Sequence, residues 1–167
     1  METEPMAPEL KTLGEAIDVH GIDVDEHVDR SVTIPVLTGL QAQGDVMVVP
    51  RPALGPATTA VPAAGVVVVK GEFGGHTHTL LGEGEVFLDR VEDGEAGLDI
   101  GTLTVAAGAV AYLAHPEHAY SGIGPGTYVL RRQRELDTTR PSRVRQGQDQ
   151  RTVSPPGRPS PVRYVRD

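Results

Sequence analysis

The chain of 167 residues contains no cysteine and no tryptophan. Disulfides, zinc ribbons, thiolate clusters and cysteine nucleophiles are therefore excluded, and any metal must be held by histidine and carboxylates. Aromatic residues are scarce too, four Tyr and two Phe, so a core must be built mainly from Val, Leu, Ile and Ala. No long hydrophobic run is present. The longest, "VPAAGVVVV" from Val61 to Val69, is too short to span a bilayer and is broken by Pro and Gly. The N-terminal "METEPMAPEL" has neither the basic region nor the apolar stretch of a signal peptide. A cytoplasmic, soluble protein with no membrane partner is expected. There is also no Walker motif, no G-x-S-x-G elbow and no dinucleotide fingerprint.

Turn formers are abundant instead, with 20 Gly and 14 Pro, which favours many short elements over long helices. The net charge of −8 hides an asymmetry. Nine acids fall within residues 1–30, and seven Arg fall within residues 138–167. Either the two ends are solvated flanks, or they attract each other or separate partners.

Residues 1–30 read as an acidic N-terminal arm. One short helix is possible in "APELKTLGEAIDVH", using Leu10, Leu13, Ala16 and Ile17. From Ser31 the pattern changes to short β-type runs, among them "DVMVVP", "GVVVVKGEF", "HTHTLL", "EVFLDR", "LDIGTLTV", "AVAYLA" and "TYVLRRQREL". Gly, Pro and Asp clusters separate them, which is the pattern of an all-β antiparallel sandwich or barrel over residues 31–136. No intervening stretch is suited to a crossover helix, so a parallel α/β sheet is not expected. The all-apolar "VVVV" of Val66–Val69 is the expected central strand. Residues 137–167, rich in Pro, Arg, Gln and Ser, read as a disordered tail.

Four of the six histidines lie in two short motifs. In "GGHTHTLLGEGE", His76 and His78 share one face of a strand, because side chains alternate with a period of two. In "HPEH", a turn beginning at Pro116 would bring His115 and His118 to one side. Neutral imidazole suits Zn²⁺, Fe²⁺, Mn²⁺ or Ni²⁺, and such sites usually add a carboxylate or a third histidine. His76, His78 and His118 are the expected ligands of a divalent transition metal, with His115 or Glu83 as a fourth. Without metal, His76 and His118 could act as an acid–base pair. Alternatively, all of them are ordinary polar residues of a sheet rim. His20 and His27 look like surface residues. "RRQRE", with Arg131, Arg132 and Arg134, could hold phosphate or nucleic acid, but the acidic balance and the lack of interleaved aromatics favour a solvated strand.

The segment from Gly75 to Glu83 resembles the first cupin motif, in which Gly precedes His-x-His and a Glu follows. That resemblance implies a divalent metal on His76, His78 and Glu83 inside a β-barrel, with His118 as a third histidine. A broader stretch, about residues 45–136, is similar to a group of small uncharacterised bacterial proteins. These pair Gly-His-x-His with Glu-His, Gly-x-Tyr and an Arg-Gln-Arg-Glu ending. This second resemblance implies no activity. Two functions are carried forward: a cupin-like metal-dependent enzyme or sensor, and a structural or partner-binding β module with incidental histidines. Short aliphatic strands with edges to cover favour a homo-oligomer. The further partner expected is a small molecule or another protein.

Overall fold

The computed structural model describes residues 9–71, 77–91 and 98–133. The expected tail from residue 137 lies outside these, as do residues 1–8 and His76. Among the described residues, one short helix, α1 (Leu13–His20), precedes ten strands. These are β1 (Val36–Leu37), β2 (Gln41–Gln43), β3 (Val46–Pro50), β4 (Val66–Val69) and β5 (His78–Glu83). After them come β6 (Val86–Arg90), β7 (Asp99–Val105), β8 (Val110–His115), β9 (Ala119–Ile123) and β10 (Gly126–Arg132).

The strands form two five-stranded sheets, ordered β1-β9-β8-β5-β4 and β2-β3-β10-β7-β6. Pairing is antiparallel except between β1 and β9. The expected all-β, antiparallel class is therefore found, as a sandwich and not a closed barrel. Alternation explains the shared core. Val46 and Val48, Leu103 and Val105, and Tyr128 and Leu130 face Leu80, Ala111, Leu113 and Ile123 of the other sheet.

The first sheet is covered on its other face as well. Leu81, Val110, Tyr112 and Ala114 pack against Leu13, Ala16, Val24 and Ile34 of the N-terminal segment. This is why all six residues of β8 are buried. The central strand buried on both faces is thus β8, whereas "VVVV" is an edge strand with Val67 36% exposed. A run of valines reports strand propensity, and the neighbours that decide centre or edge are set by topology.

Helix α1 has local sequence causes. Thr12 and Glu15 form a reciprocal capping box, and Gly21 closes the helix in the left-handed region at φ 75°. Leu13 and Ala16 turn inward, while Leu10 stays exposed ahead of the helix. No helix among the described residues is long and apolar enough to cross a membrane.

Candidate metal centre

On β5, His78 shares its face with Leu80, and on β8, His115 shares its face with Leu113, so both histidines point between the sheets. The β5–β8 register pairs Thr79 with Ala114. One step further along this ladder, His78 stands opposite His115. Their ring centroids are 4.4 Å apart, and both residues are only 3% exposed.

Beyond His115 the chain reverses through Pro116, Glu117 and His118 into β9, with His115 paired to Ala119. A three-residue hairpin loop of this kind usually needs a left-handed residue after it, and Ala119 supplies it at φ 63° without being glycine. The His115 Nδ1 accepts hydrogen bonds from the backbone N–H of Glu117 (3.1 Å) and of His118 (3.2 Å). These bonds fold the turn back and stack the ring of His118 on that of His115 at 4.4 Å. They also fix chemistry: a neutral His115 accepting at Nδ1 carries its proton on Nε2. It is therefore a donor towards the site, not a lone pair. His115, Glu117 and His118 bring one potential ligand atom each within 4.8 Å of one another.

Two elements brace this hairpin from outside. Gln43, at the end of β2 in the opposite sheet, donates its buried amide to the carbonyls of Leu113 and Ala119 and to the Ser121 hydroxyl. From the N-terminal segment, the Asp25 N–H donates to the Pro116 carbonyl at 2.8 Å, and the Tyr120 hydroxyl donates to the Ile22 carbonyl at 2.7 Å.

Gly44 and Asp45 form the two-residue turn between β2 and β3, with Gly44 at φ 52°, the place where a type II′ turn takes glycine. The absent side chain matters here. A Cβ on Gly44 would lie 3.0 Å from the His118 Nε2 and 3.1 Å from the His78 Nε2. Both imidazoles therefore aim Nε2 at one spot that only glycine leaves open. The surrounding hollow of about 330 Å³ is also lined by Asp45, Glu117, His115, Lys70 and Arg132.

Neither ring nitrogen of His78 makes a well-formed hydrogen bond, although both are buried, and the Gln43 backbone offers a weak one. Burial lowers its pKa, and repulsion from His118 adds to the shift. The nearby backbone of Gln43 and the Asp45 carboxylate oppose it only in part. His78 is thus held neutral, the form that offers a lone pair.

Of the expected ligands, His78, His115 and His118 come together. His76 lies outside the described residues. Glu83 is not part of this group. It sits at the far end of β5 on the opposite face, where Oε1 accepts from Lys11 Nζ (2.8 Å) and binds His20 Nε2 (2.9 Å). Five positions separate it from His78, and an odd spacing on a continuous strand reverses the face. His20 is likewise no surface residue, since its side chain is 6% exposed. Gln43, Gly44, Asp45 and Glu117 complete the surroundings. The Gly-Asp pair signals a hairpin turn in the sequence, but the sheet it faces is a property of the fold.

A family model matches residues 42–133, more than half of the chain. The chain belongs to the DUF8820 family, a domain of unknown function. The matched span includes every residue that lines the hollow. No curated protein and no solved structure matches the chain.

Proposed function

We propose that this member of the family is a divalent metal-binding β domain, with His78 and His118 as Nε2 ligands and Glu117 as the carboxylate. The observation carrying this reading is the buried His78, without a well-formed hydrogen bond, aimed with His118 at the gap left by Gly44. An unpaired buried imidazole costs free energy that an ion would recover. Two histidines and a carboxylate form a donor set for Zn²⁺, Fe²⁺, Mn²⁺ or Ni²⁺. With His115 a donor through Nε2–H, three ligands leave coordination positions open, as in sites that polarise a substrate or activate water rather than closed structural ones. His115 would pin the turn and hydrogen-bond to whatever binds there. Open positions of that kind support metal-dependent catalysis or sensing as the role of the domain.

The test is elemental analysis of untagged protein. One equivalent of divalent metal per chain is expected, lost in His78→Ala and in His118→Ala. His76→Ala asks in the same experiment whether the first histidine of the motif takes part. Wild-type protein that gives no metal, and takes none up on dialysis, would sink the reading.

A second reading is an assembly module. It is favoured by Leu37 on edge strand β1 and by Leu40 beside it, which are 47% and 66% exposed. Exposed edges of this kind are commonly covered by a second copy. Light scattering of a concentrated sample should then give a homo-oligomer, and a monomer would exclude it.

A further inference from the structure

Beside the histidine hollow lies a second one of about 380 Å³, and the two share Val69, Lys70 and Arg132 as a common wall. Arg90 lines the far side, with Nη1 donating to the Val67 carbonyl at 2.8 Å, which orients the guanidinium. The carboxylate in this second hollow, Asp99, is held by Arg131 at 2.7 Å. Lys70, Arg90 and Arg132 form no ion pair among the described residues. Elsewhere there, Lys11, Arg30 and Arg131 each have a carboxylate. Of the four Lys and Arg left unpaired among the described residues, three line this hollow and Arg51 lies apart. Placing three like charges together costs energy that an anion recovers, in a chain whose net charge of −8 gives no general attraction for anions.

We infer that the two hollows form one binding site for a small acid bearing two anionic oxygen groups, carboxylate or phosphate. One group is held at the common wall by Lys70, Arg90 and Arg132, and the other reaches the histidines. The guanidinium fork suits bidentate capture of either group. The size suits a small molecule, since each hollow falls within or near the range of ordinary ligand sites, roughly 300–1,000 Å³. The inference rests on the metal reading only for the second end of the ligand.

Calorimetric titration of the full chain, cobalt-loaded and metal-free, tests it with acetate, succinate and glutarate as probes. A dicarboxylate should bind the cobalt form at least about ten-fold more tightly than acetate and perturb the cobalt absorption. The double variant Lys70→Gln, Arg132→Gln should weaken that binding about ten-fold, with cobalt content and melting temperature unchanged. Equal binding of acetate and both dicarboxylates, or no effect of the double variant, overturns the inference. If cobalt does not bind, the metal reading fails on its own. Dicarboxylate binding to the metal-free chain that Arg132→Gln weakens then upholds the cationic site, and binding that it leaves unchanged overturns it.

Discussion

The two faces of the first sheet carry the same chemical types and use them in opposite ways. On the outer face, Glu83 accepts from Lys11 and engages His20, whose ring leans on Tyr112 at 5.8 Å. The Tyr112 hydroxyl there is pushed up to about 12, by burial first and the Glu83 charge second, so it stays protonated at neutral pH. Glu83 Oε1 there is engaged by both Lys11 and His20, and the effect is to fasten the N-terminal segment with helix α1 to the sheet. On the inner face, His78 makes no well-formed hydrogen bond. Residue identity does not distinguish a clasp from a site. What distinguishes them is whether the local structure already supplies the partners, since a saturated cluster has no capacity for a ligand.

The sharpest way to break this comparison is to fill the gap on one face only. Gly44→Val places a branched side chain between the two Nε2 atoms and should lower metal affinity by at least about 100-fold, from blocked access. Competition with a chromophoric chelator reads this out. An affinity unchanged in Gly44→Val would show that the ion, if bound, sits elsewhere. The converse substitution, Glu83→Ala, removes the acceptor for Lys11 and His20. It should cost roughly 1–3 kcal/mol in chemical denaturation while metal stoichiometry is kept. Loss of metal in Glu83→Ala at undiminished stability would contradict the division between the faces.

A smaller effect concerns pH. His78 is lowered from its ordinary value of 6.5 in the folded protein, so below that value the unfolded chain takes up a proton that the folded chain refuses. Metal-free protein should be fully stable above this range and lose stability as pH falls from 6.5 towards the lowered folded value. The loss should shrink in His78→Phe, and denaturant titrations at pH 7.5 and 5.5 compare the two. An unaltered pH dependence in the variant would assign the effect to other groups. The smallest expected effect is at the hairpin: Ala119→Gly relieves a positive φ of 63° and should change stability by less than about 1 kcal/mol in the stabilising direction. A clear loss of stability, by melting, would mean that the Ala119 methyl contributes packing outweighing the strain.

Much of this was legible in the sequence through periodicity and turn chemistry. Short alternating runs between Gly and Pro clusters read as antiparallel β structure, and Pro116 read as the turn that brings His115 and His118 to one side. The place of Glu83 was also within reach, because the five-residue step from His78 changes face on any unbroken strand. A family motif outweighed that parity. Other features were not legible, because they depend on which strands become neighbours. Nothing in "VVVV" says that β4 ends at an edge, and nothing in "QGD" says that Gly44 backs onto two histidines across the sandwich. His20 looked like a surface residue because its partner lies 63 positions away.

The bonds from Asp25 to Pro116 and from Tyr120 to Ile22 have a practical corollary for anyone trimming the protein to the span matched by its family. The family match begins at residue 42, yet the backbone that steadies the histidine hairpin comes from residues 22–25. A fragment cut at that border would bare Leu81, Val110, Tyr112 and Ala114 to water, and untether the loop that carries Glu117 and His118. Sequence relatedness and mechanical integrity thus draw the limits of this domain in different places. The smallest unit that can keep its site in order is longer than the unit by which its kin are recognised.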